Sequence, residues 1–176
     1  YLTALHNHTL PVLLNTEKVE KGDCFFIPAG TVHAICKGCY IAEIQQTSDI
    51  TYRIYDYDRR DKNGNPRELH TELATDVINF CEQKQHSIHY HQHENHTEEL
   101  VSCNYFTTNY LKFDKEVEKD YIELDSFVIY MCLEGNFTLV YDVDKTVKVN
   151  KGETILVPAI LKNLFLIPET EAEIYV

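Results

Sequence analysis

A short motif that occurs twice constrains the fold of this chain more than any other feature. VEKGDCFFIPA, at residues 19–29, and VNKGETILVPA, at 149–159, share a valine, a Lys-Gly pair before an acidic residue, and an apolar residue before Pro-Ala. A Lys-Gly pair followed by an apolar run is typical of a strand that leaves a tight turn. A strand–turn–strand unit that recurs along a chain indicates two copies of one β module.

Most of the remaining sequence is patterned as short strands, with Ile, Tyr, Phe and Val concentrated between turn residues. The predicted strands are Cys24–Ile27, His33–Cys36, Tyr40–Gln46, Thr51–Tyr57, Leu100–Phe106, Tyr110–Phe113, Phe127–Leu133, Phe137–Tyr141, Thr154–Val157, Asn163–Ile167 and Ala172–Val176. Many short strands at close spacing predict a mainly β protein built as a sandwich or barrel.

One segment has helical periodicity instead. Its apolar residues recur three or four positions apart, at Leu69, Leu73, Val77 and Phe80. This spacing predicts one helix over about 68–83, followed by a polar, histidine-rich connector. The predicted organisation is therefore a β unit at 1–67, the helix and connector at 68–98, and a second β unit at 99–176.

Charge and hydropathy argue against two classes of partner. The chain has 16 Lys and Arg against 28 Asp and Glu, which gives a formal charge of −12. Such a field repels nucleic acid and anionic membranes. No apolar run approaches the roughly 20 residues of a membrane helix. We therefore expect neither nucleic acid nor a membrane as a partner.

The six cysteines are predicted to be reduced thiols. Several lie in apolar, strand-like runs, where a free thiol packs as a small hydrophobe. Cys36-Lys37-Gly38-Cys39 is a single CxxC motif without a second pair, and a turn between strands explains it at least as well as redox or zinc chemistry. Because no export leader follows Tyr1 either, we expect a cytoplasmic protein.

A histidine follows the first copy of the repeat at a recognisable spacing. Gly22-x5-Pro28-x-Gly30-x2-His33 matches the second signature of the cupin superfamily, in which the histidine points into the open end of a jelly-roll barrel. The resemblance implies a mainly β fold of two cupin-type jelly-roll β-barrel or sandwich units with one connecting helix. The alternative for His33 is a core histidine beside a turn.

Residues 21–70 extend this resemblance to one enzyme family. The pieces AGTVHA, EIQQ-S-D and YR-YDYDR resemble, in order and spacing, class I mannose-6-phosphate isomerases of the short bacterial form. Residues 100–113 and 126–159 resemble the carboxy-terminal cupin module of that family. The resemblance implies the carboxy-terminal portion of an enzyme that interconverts mannose 6-phosphate and fructose 6-phosphate, a phosphorylated hexose substrate, with one zinc ion.

The same resemblance implies roles for two residues. His33 matches the family's last zinc-binding histidine, and Arg53, in Ser48-Asp49-x3-Arg53, matches the arginine over the reacting sugar. Moving a carbonyl from C1 to C2 passes through an enediolate, whose oxygen zinc can stabilise as a Lewis acid and a guanidinium by its fixed charge. Without the resemblance, we would assign Arg53 to a surface ion pair with Asp56 or Asp58.

The family's other zinc ligands have no match in this chain. By resemblance they are a Gln-x-His pair and a glutamate several dozen residues before His33, but only 32 residues precede it and none forms Gln-x-His. Catalytic zinc takes about three protein ligands. We therefore expect the chain to lack an amino-terminal segment of the enzyme, to bind zinc weakly and to be inactive alone. The alternatives are a non-catalytic sugar-binding or scaffold cupin, and another cupin activity such as a dioxygenase or an epimerase.

Two further sets of residues bear on metal binding. The position in the second copy that corresponds to His33 is Asn163, which predicts a metal-free second unit. Five histidines lie within residues 86–96, and His91-x-His93-x4-Glu98 resembles the first cupin core motif. Alternation along a strand would place His89, His91 and His93 on one face, able to bind a transition metal. We interpret the cluster as a solvated connector, with incidental zinc or nickel binding as the alternative.

Overall fold

A computed structural model describes residues 1–48, 50–81, 86–143 and 145–176. Contacts divide the chain into two compact units, Tyr1–Ser87 and Ile88–Val176. Asp49 of the predicted arginine motif, the end of the predicted helix at 82–83 and the start of the connector at 84–85 lie outside the described residues. The finer division at residues 67 and 98 stays a prediction.

The first unit contains little regular secondary structure. Its elements are α1 Leu2–His6, a 3₁₀ helix Leu10–Leu13, β1 Cys24–Phe25 and α2 Thr71–Thr75. β1 pairs with β2, Ser87–Ile88, in a two-stranded sheet. Buried apolar side chains in this unit are few among the described residues: Ala4, Leu10 and Ala74.

Three strands predicted in the first unit are wrong. Residues 33–36, 40–46 and 51–57 form no strand ladder. A strand requires a neighbour for its N–H and C=O groups, and within the described part of this unit only β1 has one. Many apolar side chains of these segments are accordingly exposed, with Tyr40 at 96% and Ile35 at 56%.

The predicted helix over 68–83 is also wrong in its length, since α2 covers only Thr71–Thr75. The N–H of Asn79 donates to the carbonyl oxygen of Gly30 at 2.9 Å, so the chain has left the helix by this point. Leu73 and Val77 of the predicted apolar face are exposed. A helix this short depends on packing of its apolar face, and that packing is largely missing here.

The second unit is a sandwich of two antiparallel sheets. Its strands are β3 Thr97–Ser102, β4 Thr107–Phe113, β5 Val117–Asp120, β6 Val128–Glu134, β7 Asn136–Asp142, β8 Lys145–Asn150, β9 Thr154–Val157, β10 Asn163–Pro168 and β11 Ala172–Tyr175. One sheet has the order β5-β10-β7-β8 and the other β3-β4-β11-β6-β9. The predicted mainly β class with a jelly-roll sandwich is confirmed.

Alternating side chains of the two sheets form the core of this sandwich. In β10, for example, Leu164 and Leu166 are fully buried while Phe165 faces outward. The core cluster consists of Leu111, Phe113, Tyr130, Cys132, Phe137, Leu139, Val149, Val157, Leu164, Leu166, Ala172 and Ile174.

Two strands of the sandwich, β5 and β8, were not predicted, and neither was β2, which lies in the predicted connector. The interior position of β5 is Lys119, which is only 8% exposed and donates to the hydroxyl of Thr97. Because a lysine at this interior position interrupts the apolar alternation, the sequence pattern does not indicate a strand here. β8 carries Val147 and Val149 between lysine and threonine residues, and its register with β7 fixes it in the sheet.

Both copies of the repeat form the same turn. In the first, the N–H of Asp23 donates to the Glu20 carbonyl, and the Asp23 carboxylate accepts from the Glu20 N–H at 2.8 Å. In the second, Glu153 and Asn150 make the corresponding pair of bonds, with the same 2.8 Å distance at the carboxylate. The two modules inferred from the sequence therefore share their entry turn at atomic detail.

Candidate active site around His33 and Arg53

A tight turn brings the chain from β1 to His33. The N–H of Thr31 donates to the carbonyl oxygen of Pro28 at 3.2 Å, and Gly30, the third residue of the turn, has a φ of +84°. A turn with positive φ at its third position is of type II and favours glycine there. A Cβ atom on Gly30 would also lie 2.5 Å from the carbonyl oxygen of Val77. Glycine is thus required here both by conformation and by space.

The His33 ring is exposed, and one of its nitrogens is fixed by the turn. Nδ1 lies 2.9 Å from the carbonyl oxygen of Thr31. Because a carbonyl can only accept a hydrogen bond, Nδ1 must carry the proton, and the lone pair of a neutral ring is then on Nε2. Metal-binding histidines commonly have their second nitrogen bonded in this way. The alternative of a core histidine does not fit the exposed ring.

Arg53 is fixed through its backbone by a histidine that the sequence analysis did not single out. The N–H of Arg53 donates to Nδ1 of His70 at 3.1 Å, and the N–H of His70 donates to the Arg53 carbonyl at 2.7 Å. The guanidinium donates to the carbonyl oxygen of Glu68 at 3.3 Å. This set of bonds defines the backbone position from which the Arg53 side chain extends.

The ion pair considered for Arg53 is made by another arginine. Arg67 Nε donates to Asp56 Oδ2 at 2.7 Å, and a second nitrogen of the same guanidinium contacts Oδ1. This bidentate hydrogen bonding by Arg67 holds the pKa of the Asp56 carboxyl below its ordinary value. Asp56 therefore takes its hydrogen bonds from Arg67, while the nearby charge of Arg53 also lowers the pKa of this carboxyl.

The YDYDR segment ends in a strained turn. Tyr57 and Asp58 have φ angles of 54° and 52°, and the N–H of Arg59 donates to the Asp56 carbonyl at 3.0 Å. Two successive positive φ angles characterise a type I′ turn, which glycine and asparagine adopt more easily than tyrosine. The Arg59 guanidinium lies 5.7 Å from the centre of the Tyr57 ring, a cation–π contact that supports the turn.

The described residues contain the predicted site residues but no complete metal centre. His33 and Arg53 lie in the same unit, without a hydrogen bond between them. Among residues 1–48, 50–81, 86–143 and 145–176, no group of three or more His, Cys, Asp or Glu side chains could hold a metal ion. Asn163, the counterpart of His33, begins β10 opposite Asp120. Cys36 and Cys39 are exposed, free thiols.

A cavity of about 350 Å³ in the first unit lies beside this region, but its lining includes neither His33 nor Arg53. Its wall is formed mainly by apolar side chains and also contains Thr31, Asn79 and His86. The cavity therefore shares the turn that carries His33 without containing the predicted site residues. No described helix is both long enough and apolar enough to cross a membrane.

Sequence reasoning missed His70, Thr31 and Arg67. Thr31 acts through its backbone carbonyl, and the His70 ring accepts a hydrogen bond from the backbone N–H of Arg53. The type of residue does not reveal such contacts. The only signal for these two residues was position, since both lie within residues 21–70, where the family resemblance is strongest. Arg67 pairs with Asp56 across 11 positions, a separation without helical or strand periodicity.

Comparison with known proteins agrees with these motifs. No protein-family model matches the chain. Over 148 residues, 83% of its length, the chain is 36% identical to the mannose-6-phosphate isomerase ManA of Bacillus subtilis, covering 46% of that protein. A stretch of 66 residues, 38% of the chain and 21% of the relative, is 53% identical to the mannose-6-phosphate isomerase of Streptococcus mutans.

A solved structure gives the same result. The crystal structure of the mannose 6-phosphate isomerase from Bacillus subtilis matches 99% of this chain with a TM-score of 0.82 and 33% identity, and the match covers 55% of that chain. This chain thus spans about half the length of the curated relatives it matches. Over that length its sequence and fold both agree with the resemblance seen in residues 21–70, and the chain belongs to the mannose-6-phosphate isomerase family.

Proposed function

We propose that this chain supplies part of the active site of a zinc-dependent isomerase that interconverts mannose 6-phosphate and fructose 6-phosphate. In this proposal His33 is one zinc ligand and Arg53 stabilises charge on the reacting sugar. The remaining ligands and the proton-transferring base are contributed by residues outside this chain, which alone turns over no sugar. The protein acts in the cytoplasm, where the phosphorylated hexose is found.

The observation that carries the proposal is the orientation of His33. The Nδ1–H···O bond to Thr31, at 2.9 Å, leaves Nε2 as the lone-pair donor on an exposed ring. That arrangement fits one position in the coordination shell of zinc, for which imidazole is a preferred ligand. The Gly30 turn holds the Thr31 carbonyl in place, so the direction of the lone pair is built into the backbone.

The proposed isomerisation requires positive charge beside the sugar oxygens. A bound zinc ion would supply a Lewis acid for the oxygen that becomes negative during enolisation. Arg53 adds a guanidinium that stays protonated throughout and whose backbone is fixed by His70. The hydrogen bonds to Asp56 come from Arg67, although the nearby charge of Arg53 also lowers the pKa of that carboxyl.

The first test reads the coding sequence before residue 1. The proposal expects a Gln-x-His pair and a glutamate several dozen residues upstream of His33, completing a set of about three ligands. Zinc content and isomerase turnover of the 176-residue chain alone are measured in parallel. Weakly held zinc that dialysis removes, together with no turnover, agrees with the proposal. Full turnover by this chain alone would show that the missing-ligand part is wrong.

The second test concerns Arg53 in the protein expressed from its complete gene. Arg53→Ala should lower kcat by at least about 100-fold while changing KM little, because the charge acts mainly in the transition state. Arg60→Ala is the matched control, since the Arg60 guanidinium donates to the Gly64 carbonyl within its own turn. An unchanged kcat in Arg53→Ala removes this residue from the mechanism. Sugar binding without turnover in the wild type would favour the non-catalytic cupin instead.

A further inference from the structure

The histidine cluster of the second unit contains a pair of rings that no part of the proposed isomerase uses. We propose that His91 and His93 form a two-imidazole chelate for a borderline-soft divalent cation such as Ni²⁺ or Zn²⁺, with Glu98 orienting His93. The inference rests on contacts within the second unit alone and is independent of the proposed function.

The segment that carries the two histidines is fixed at both ends. The Tyr90 ring packs on Tyr110 with centroids 5.4 Å apart, and Glu94 forms a parallel β-bridge with Lys112. Both partners belong to β4, so residues 90–94 run beside that strand. Gln92 donates to the Tyr90 hydroxyl at 3.3 Å, which places the even-numbered side chains together. In an extended segment His91 and His93 then share the opposite face.

The geometry of this pair suits a chelate. The two rings are exposed, and their centroids are 5.7 Å apart with an angle of 44° between the planes. Two imidazole nitrogens bound to one zinc ion, each at about 2.0–2.1 Å, lie roughly 3 Å apart. The proposed chelate requires rotations of these two exposed side chains that bring one nitrogen of each ring to that separation.

Glu98 supplies the orienting contact. Its Oε1 lies 2.5 Å from Nδ1 of His93, and its side chain is 28% exposed against 63% for His93. A carboxylate at Nδ1 keeps the proton there and leaves the Nε2 lone pair for a cation. The same carboxylate–histidine arrangement supports metal ligands generally, and removing the carboxylate costs about 10–100-fold in metal affinity.

Two protein ligands make this a weak site that water completes. The proposed site has only these two protein ligands. The described residues contain no group of three or more His, Cys, Asp or Glu side chains that could hold a metal ion. Imidazole favours nickel, copper and zinc over magnesium or calcium, which prefer oxygen. We therefore expect selective but reversible binding of the former ions.

The experiment titrates Ni²⁺ into the full chain by calorimetry. The chain carries His33→Ala to remove the other proposed ligand, and its free thiols are alkylated so that cysteine cannot bind the ion. We expect one Ni²⁺ per chain, and at least a tenfold loss of affinity in either His91→Ala or His93→Ala. Glu98→Gln should lose about tenfold. His96→Ala is the control from the same segment and should bind as tightly as the parent.

Every outcome of this titration decides the proposal. A loss confined to His91, His93 and Glu98 supports it, as does failure of Mg²⁺ to compete. Unchanged affinity in the His91→Ala/His93→Ala double variant overturns it, and so does the absence of any Ni²⁺ binding by the parent chain. Circular dichroism of each variant separates loss of the site from loss of the fold.

Discussion

The two copies of the repeat begin alike and then diverge. Each opens with a turn in which an acidic side chain, Asp23 or Glu153, accepts from a backbone N–H three residues earlier. Each ends with a second turn after its proline, closed by bonds of 3.2 Å at Pro28 and 3.0 Å at Pro158. Between these turns, however, β1 is two residues long and β9 is four.

This difference shows that a turn depends on residues next to it in sequence, whereas a strand depends on a neighbouring strand. A turn is satisfied by hydrogen bonds over three or four residues, so the same sequence forms it in either unit. A strand is satisfied only by a neighbour, and β9 has β6 along its whole length. In the first unit, β1 pairs over two residues, and the apolar segments after it are exposed.

A second difference lies in the residues just after the proline of each copy. Gly30 and Ile160 occupy corresponding positions, yet Gly30 lies against the Val77 carbonyl whereas Ile160 is 83% exposed. Three residues later the first copy has His33 and the second has Asn163. At this position the copy with the shorter strand has an imidazole, and the copy with the longer strand has an amide.

The largest predicted effect contrasts a buried phenylalanine of the second unit with an exposed phenylalanine of the first unit. Phe137 is fully buried in the sandwich, at 5.7 Å from the Phe113 ring, whereas Phe80 in the first unit is 62% exposed. Phe137→Ala should lower the free energy of unfolding by about 3–5 kcal/mol, because it leaves a cavity among close-packed side chains. Phe80→Ala should cost less than about 1 kcal/mol. Urea unfolding followed by circular dichroism measures both, and equal losses would contradict the contrast.

The next effect depends on pH and tests how dry the sandwich interior is. Burial lowers the pKa of Lys119 to about 8 from 10.5. The unfolded chain then binds more protons than the folded chain between these values, so the free energy of unfolding should rise with pH through that window. The rise from this group is about 3 kcal/mol over the full window.

A matched pair of variants isolates this contribution. Lys119→Met should remove the rise and stabilise the protein below pH 8, because no buried ammonium remains. Lys115→Met, at an exposed position, should keep the wild-type profile. The comparison is made between pH 7 and 9.5. A profile of Lys119→Met that matches the wild type would show that Lys119 is hydrated.

A smaller effect separates the second turns of the two copies. Gly30→Ala should destabilise the first unit by about 2 kcal/mol, since a Cβ at positive φ costs about 1–2 kcal/mol and also meets the Val77 oxygen. Ile160→Ala, at the corresponding position, should change stability by less than about 0.5 kcal/mol. Chemical denaturation detected by tyrosine fluorescence reports both. If Ile160→Ala proves the more damaging substitution, the two turns do not differ as described.

The smallest effect tests what the copies share. Asp23→Ala and Glu153→Ala each remove a side-chain bond to a backbone N–H at 2.8 Å, and Glu153→Ala also removes a 3.2 Å bond from the Asn150 side-chain amide. Each should cost about 0.5–1.5 kcal/mol, because the two bonds to a backbone N–H are solvent-exposed and chemically alike. Thermal unfolding of the two variants provides the comparison. A cost confined to one copy would mean that the turns stabilise the chain differently.

From the sequence, the turns could be predicted in both units, whereas strands were predicted well only in the sandwich. Turn chemistry is local, so the Lys-Gly and Pro-Ala-Gly motifs identified both turns and the position of His33. Strands of the sandwich were predicted where apolar residues alternate, as in β10, and missed where Lys119 occupies an interior position. The unpaired strands of the first unit were predicted wrongly because an apolar run does not reveal whether a neighbour exists.

The candidate site shows this limit at the level of single contacts. His33 and Arg53 could be assigned from motifs that match a family. The contacts that orient them could not, because Thr31 acts through its carbonyl and His70 through a backbone bond 17 positions away from Arg53. Such contacts depend on the folded backbone and not on residue type.

The central claim is that the first copy, and not the second, carries a zinc ligand. The most direct measurement compares His33→Asn with Asn163→Ala in the protein expressed from its complete gene, recording bound zinc and turnover of mannose 6-phosphate. We expect His33→Asn to lose its bound zinc and to have a kcat at least about 100-fold lower than the wild type. Asn163→Ala should keep both its zinc and its kcat. A His33→Asn protein with full zinc and undiminished turnover would contradict this claim.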